Sequence, residues 1–347
     1  MIDNTESVRG SGGYFRYGRT GIYKTHLFGK PSIIICIPEM CRRVMTDDQH
    51  FRVGYSTSFM KLLGSELLAS YSPEEYKGVR RLATAPIVGH NSLAEYIDGI
   101  EDLIMNSLDE WSSMNHPIEL LKEITFKVMI GIFLGFNNNS VIAKVGHLFP
   151  IMSNALISLP VNVQGFAFHK ALKPRRKLAR IIQSIVEGRK KTVAMMWSVI
   201  YLTEHPHILK KVKEEQEEII QARPPSQKGL NIREIKQMAY LVKVIDEIIR
   251  ITTITFTTFR EAHVDVNING CYVIPEGWRL LSWARAVHLD PEYHPNPQQF
   301  IPSRWEDYNV KVGSFIPFGY GSRLCPGMDL AKLGITIFLH YFLLNYK

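Results

Sequence analysis

The tightest constraint on this chain is the stretch Phe315–Leu330, FIPFGYGSRLCPGMDL. One cysteine, Cys325, stands among Gly319, Gly321 and Gly327, close to Arg323 and just ahead of a helical pattern. Glycines at this density let backbone pass close to a flat, bulky group. A thiol near the amino end of a helix faces peptide N–H groups that stabilise its thiolate, and Arg323 adds positive charge on the same side. A thiolate held this way suits an iron ligand. It also suits a redox nucleophile, but that chemistry needs a paired histidine or a resolving cysteine, and His288, His294 and His340 sit in no recognisable triad setting. The other cysteines, Cys36, Cys41 and Cys271, read as small apolar residues. With no CxxC pair a zinc ribbon is excluded, and four cysteines in 347 residues exclude a disulfide scaffold.

The rest of the chain reads as mostly α, with small β regions near each end. Gly21–Ile37 gives two short strands joined by Gly29-Lys30-Pro31, and Pro38 opens a helix over Glu39–Thr46. Ser72-Pro73-Glu74-Glu75 starts a helix that runs through Arg80 and Arg81. Leu93, Ile97, Ile100 and Ile104, and then Leu121, Ile124, Val128 and Ile132, repeat at helical spacing between Ser92 and about Ala155. Lys173–Arg189 is a basic amphipathic helix carrying Lys173, Arg175, Arg176, Lys177 and Arg180; it reads as a solvated face, or as a partner- or membrane-facing patch. Thr192–Leu202, Ile208–Gln221, Ile232–Met238 and Tyr240–Ile251 follow as helices. Val264–Ile274, turning at Asn269-Gly270, reads as a hairpin, Trp278–Trp283 as a strand and Gly327–Lys347 as a closing helix. A 347-residue chain allows one large domain or two, and no repeat or linker divides this one. The net charge of +8 favours acidic partners without choosing among them, and nothing beyond that charge speaks for nucleic acid. No stretch reaches the ~18 apolar residues of a spanning helix, so no membrane anchor is expected in the chain as written.

Phe318-Gly319-Tyr320-Gly321-Ser322-Arg323-Leu324-Cys325-Pro326-Gly327 matches the FxxGxRxCxG signature of the cytochrome P450 family. The chain therefore resembles that family, and two further motifs agree in order. Glu247-Ile248-Ile249-Arg250 is similar to its ExxR; the spacing puts both side chains on one helix face. Arg304, in Phe300-Ile301-Pro302-Ser303-Arg304-Trp305, resembles the partner that completes a structural Glu-Arg-Arg cluster. Taken alone, an ExxR is usually a surface ion pair.

The resemblance implies a single P450-type domain over 1–347 holding haem b, with Cys325 as axial iron ligand and catalytic centre. It implies haem contacts at Phe318, Gly321, Arg323, Cys325 and Gly327, with Arg80, Arg260 and Arg323 on the propionates. Arg80 follows an aromatic by four residues, Tyr76, where the family more often has tryptophan or histidine. A closer likeness, carried by TTFREAHVDVNINGCYVIPEGW and RAVHLDPE, is to plant members that oxidise terpenoids. It implies a bulky apolar substrate, a diterpenoid acid of gibberellin synthesis or a triterpene such as β-amyrin. Ile251–Phe259 would line its pocket, with Ile254 and Phe256 as contacts; the alternative is that both are core. The implied partners are O2 and NADPH-cytochrome P450 reductase, and the implied location is the endoplasmic reticulum membrane for a full-length form. Lys210, Lys211 and Lys213 read as a solvated face or as part of a reductase-facing surface.

The family's proton-relay motif, an acid and alcohol after Ala-Gly on the long central helix, is absent. Its expected place falls at Arg189-Lys190-Lys191-Thr192. The expectation is an internal deletion near 189–192, with Ser184–Arg189 ending one helix and Thr192–Leu202 preserving only the second half of the central (I) helix. A second functional reading follows, a non-catalytic truncated or mis-spliced relative that binds haem weakly or not at all.

Overall fold

The computed structural model describes residues 21–27, 29–56, 59–60, 73–84, 93–94, 96–111, 128, 166, 170–171, 188–268, 272–306 and 311–345. The predicted features at Ser72, Leu121, Ile124, Ile132, Lys173–Arg180, Asn269-Gly270 and Cys271 lie outside these residues.

Nine helices stand among the described residues: α1 (Pro38–Thr46), α2 (Pro73–Thr84), α3 (Ile97–Trp111), α4 (Gly188–Glu204), α5 (Pro206–Gln221), α6 (Ile232–Gln237), α7 (Ala239–Thr252), α8 (Ala284–His288) and α9 (Met328–Asn345). The strands are β1 (Ile22–Leu27), β2 (Lys30–Ile35), β3 (Phe51–Val53), β4 (Thr258–Ala262), β5 (Val266–Ile268), β6 (Tyr272–Ile274) and β7 (Arg279–Ser282). Among the described residues, the helices expected at Glu39–Thr46, Ile208–Gln221, Ile232–Met238, Tyr240–Ile251 and Gly327–Lys347 and the strand pair expected in Gly21–Ile37 are present within a few residues of their predicted ends. Strand β3 and helix α8 are additions, both too short to show a period.

One apolar core joins α3, α4, α5, α7 and α9. Its logic is plain in α5, where Ile208, Val212, Gln216 and Ile219 are buried and the intervening lysines and glutamates are not. Helix α9 is buried around most of its circumference, from Leu330 to Leu343, so it has no polar face to pattern. Helix α6 starts on a capping box, with Asn231 accepting from the Glu234 N–H and Glu234 accepting from the Asn231 N–H.

A second core lies under a sheet of order β1-β2-β7-β4-β3, packed against α1. Strands β1 and β2 pair antiparallel with Ile22 opposite Ile35, while β2 and β7 run parallel with Ile33 opposite Leu280. The two β regions at opposite ends of the sequence are therefore one sheet. β5 and β6 form a separate antiparallel pair, Val266 opposite Ile274.

The junction near 189–192 is not a helix boundary. The backbone runs as one helix from Gly188 to Glu204, so the expected break between Arg189 and Thr192 is corrected. Arg189, Lys190 and Lys191 are adequate helix formers, and no proline or cap interrupts them. Within the described residues no helix is long and apolar enough to cross a membrane.

Candidate functional site

The cysteine loop hangs between the two cores. The Cys325 N–H donates to the Phe318 carbonyl at 3.0 Å, closing the loop on itself. Gly319 (φ 81°) and Gly321 (φ 72°) turn it through the left-handed region. At Gly321 a side chain is also excluded by space, because a Cβ would lie 2.7 Å from the Met45 carbonyl at the end of α1. Gly327 accepts the Ala331 N–H at 2.8 Å and so begins α9. Cys325 is half-buried, and with Leu324 and Ile254 it packs against the helical core. The Phe318 ring is buried in the same core.

Around this loop the structure gathers the three arginines singled out from sequence. Arg80, on α2, donates to the Leu324 carbonyl and to the Tyr76 hydroxyl, both at 2.6 Å. The Arg323 guanidinium lies 3.5 Å from the centre of the Tyr76 ring. Tyr76 thus serves as a plate that orients both arginines through its hydroxyl and its π face. Burial lowers the Arg323 pKa, with Arg260 acting in the same direction against Tyr76 and Asp48. Arg260, on β4, donates to the Met45 carbonyl at 2.5 Å and pairs with Asp48 at 3.0 Å. The second oxygen of Asp48 accepts from the Ser322 hydroxyl. Asp48 thereby ties the sheet to the cysteine loop. Sequence reasoning missed it, because its partners stand 212 and 274 residues away and no local pattern marks the contact. Tyr55, 37% exposed, is stacked on Phe59 and lies within electrostatic reach of Arg260, Tyr76, Arg323 and Cys325.

Three guanidiniums therefore converge beside one thiol, with Asp48 as the carboxylate among their described partners. Guanidinium groups so placed fit a ligand carrying two carboxylates, and the thiol fits its metal. On the donor set alone, the residues present suit a haem.

Glu247 is the centre of a different cluster, fully buried. Its Oε1 accepts from Arg250 Nη2 (2.9 Å), Arg304 Nε (2.9 Å) and the Ile301 N–H (3.1 Å). Its Oε2 accepts from Arg250 Nε (2.9 Å) and Trp305 Nε1 (3.1 Å). The remaining guanidinium N–H groups go to carbonyls: Arg250 to His288 and Pro297, Arg304 to Pro295 and Asn296. Every member is satisfied, which a buried charge cluster requires.

The two candidate substrate contacts part company. Ile254 joins the core that carries Cys325, whereas Phe256 is 50% exposed with its ring against Trp283, on the sheet. Thr253, with φ 39°, caps α7 in the left-handed region just before Ile254. Of the three lysines on α5, Lys210 pairs with Glu214 at 3.8 Å and Lys211 lies 4.2 Å from the centre of the Tyr240 ring.

Comparison with known proteins now bears on this geometry. The sequence model of the cytochrome P450 family matches residues 170–347. Beta-amyrin 11-oxidase of Glycyrrhiza uralensis is 50% identical, over 96% of this chain and 78% of its own length. Ent-kaurenoic acid oxidase 2 of Arabidopsis thaliana is 43% identical over the same shares. Among solved structures, retinoic acid bound cyanobacterial CYP120A1 superposes with a TM-score of 0.84 at 23% identity, covering 93% of this chain and 84% of that one. The alignment to the Glycyrrhiza protein is 385 positions long, and 96% of 347 residues fills about 333 of them, so about 50 positions of that relative have no counterpart here.

Proposed function

The chain belongs to the cytochrome P450 family, and from that premise we propose a haem-thiolate monooxygenase that places one atom of O2 on a terpenoid. The observation that carries the substrate class is the extended likeness to a beta-amyrin oxidase and to ent-kaurenoic acid oxidases. The higher identity to the former favours a triterpene of amyrin type over a diterpenoid acid.

Bound haem supplies the site where O2 is taken up and the oxidising power for a C–H bond. The chain's own residues do the rest. Cys325 Sγ would hold the iron, and the hydrogen bond that closes the loop from Phe318 to Cys325 restrains that side chain. Arg80, Arg260 and Arg323 neutralise the propionates. Gly321 keeps the loop close to α1, and Gly327 begins α9 behind it. Glu247, Arg250 and Arg304 make no step of the reaction; they hold the segment 295–305 against α7. Ile254 offers apolar surface to the substrate. Electrons come from a flavoprotein, NADPH-cytochrome P450 reductase, drawn by the positive net charge.

We infer that the roughly 50 unmatched positions fall at residues 189–192, inside α4, where the family's acid and alcohol are missing. A shorter helix there excludes water less completely and offers no relay for protons. This is the observation behind the second reading, a relative that holds haem without oxidising substrate.

The test is the carbon monoxide difference spectrum of the dithionite-reduced, haem-supplied chain, followed by turnover of β-amyrin with reductase under labelled O2. A strongly red-shifted Soret band with label in the product is expected. The band without label in the product favours the second reading. A band typical of a lost or protonated thiolate overturns the assignment of Cys325.

A further inference from the structure

His288 was set aside in the sequence because no nucleophile stands beside it, yet it is fully buried and every polar atom it carries is engaged. It ends α8, behind the cysteine loop. Its Nε2 lies 2.9 Å from the N–H of Ile316, and its Nδ1 lies 3.0 Å from the Thr253 hydroxyl. A peptide N–H only donates, so Nε2 presents its lone pair and Nδ1 carries the proton. The Thr253 hydroxyl spends its own proton on the Arg250 carbonyl at 2.6 Å, which leaves its lone pairs for Nδ1. The tautomer is thus fixed from both sides. The His288 carbonyl accepts from Arg250 Nη1 at 2.7 Å.

One residue therefore connects the end of α7 to the start of the cysteine loop. From Ile316 the connection is short: the Ile316 carbonyl accepts the Gly319 N–H at 3.1 Å, and the Phe318 carbonyl accepts the Cys325 N–H at 3.0 Å. We propose that His288 is a positioning residue for Cys325, a neutral imidazole strut that anchors the loop at Ile316 and so sets where the thiol stands. The anchoring is independent of any ligand; its consequence for iron rests on the haem-thiolate reading above. An added proton would turn Nε2 into a donor facing a donor. It would also place a cation against Arg250 on α7 and His294 on the adjoining loop, the charged and titratable groups that act on the ring.

The test uses the full chain and two variants. His288→Leu keeps the volume and removes both bonds. His288→Gln puts an amide oxygen near the place of Nε2 and keeps the bond to Ile316. In the ligand-free chain, amide exchange at Ile316 is expected to rise about tenfold or more in His288→Leu, to return towards wild type in His288→Gln, and to stay unchanged at Leu339 in α9. In the haem-loaded chain, conversion of the thiolate-type carbon monoxide band to the thiol type should begin at higher pH in His288→Leu than in wild type or His288→Gln. Unchanged exchange at Ile316 in His288→Leu overturns the proposal, as does equal exchange at Ile316 and Leu339. If His288→Leu does not fold, Thr253→Val removes the acceptor for Nδ1–H, and it must raise Ile316 exchange in the same direction or the strut fails. A wild-type chain with no thiolate band sinks the haem-ligand reading alone, since the exchange measurement still decides the role of His288.

Discussion

Two arginine-rich clusters flank the cysteine loop, and they are built to opposite ends. Around Glu247 five donors converge on one buried carboxylate, and the spare guanidinium protons find carbonyls. Around Cys325, Arg260 pairs with the half-buried Asp48, while Arg80 bonds the Leu324 carbonyl and the Tyr76 hydroxyl and Arg323 lies over the Tyr76 ring. The first cluster is complete without a ligand and is structural. In the second the guanidiniums meet carbonyls, an aromatic ring and the Asp48 carboxylate, an environment that suits an anionic ligand. Similar residue types serve both, so what separates them is the number of donors on the carboxylate: five on Glu247, against the Arg260 guanidinium and the Ser322 hydroxyl on Asp48.

The comparison breaks most visibly at Glu247. Glu247→Gln leaves two buried guanidiniums without an anion, and a loss of about 3–5 kcal/mol in urea unfolding is expected, with or without haem. A loss under about 1 kcal/mol would mean that the cluster is no lock.

Acid separates the clusters next. Burial, then His294 and Arg250, holds the His288 pKa well below its usual value; burial likewise brings His294 to about 4, with Arg250 and Arg304 acting in the same direction. Unfolded histidine titrates near 6.5, so below that pH the unfolded chain binds protons the folded one refuses. Stability contributed by this region is full above about pH 6.5 and falls as the pH drops towards 4, by about 1.4 kcal/mol per pH unit for each histidine. His294→Asn should lower proton uptake on unfolding at pH 5 by about one proton relative to wild type.

Asp48→Asn sharpens the contrast. It removes the anion from Arg260 and Ser322, and about 1–2 kcal/mol of stability should disappear from the ligand-free chain. Added haem should recover most of that loss, since a propionate replaces the missing charge; haem has no such effect on Glu247→Gln. Equal losses with and without haem would remove Arg260 from the propionates.

The smallest effect on stability is expected at the centre. Cys325→Ser changes a half-buried loop residue and should shift unfolding by less than about 1 kcal/mol. The same variant should abolish the thiolate-type carbon monoxide band. A surviving band would place the ligand elsewhere.

Much of this was legible in the sequence because it is local. Glu247 and Arg250 stand one helical turn apart, so a shared face follows from spacing alone. Gly319, Gly321, Arg323 and Cys325 lie in one short loop, so their conjunction survives any error about the rest of the fold. Helices such as α5 and α7 write their buried face into the order of apolar residues. The sequence therefore determined the helices, the cysteine loop and the arginine pairings within or near one element. Tertiary structure decided which groups meet across the chain: β2 beside β7, Asp48 against Arg260 and Ser322, and His288 between Thr253 and Ile316. The physical reason is the same in each case: periodicity encodes which side of an element is buried, while a hydrogen bond between distant residues leaves no period to read.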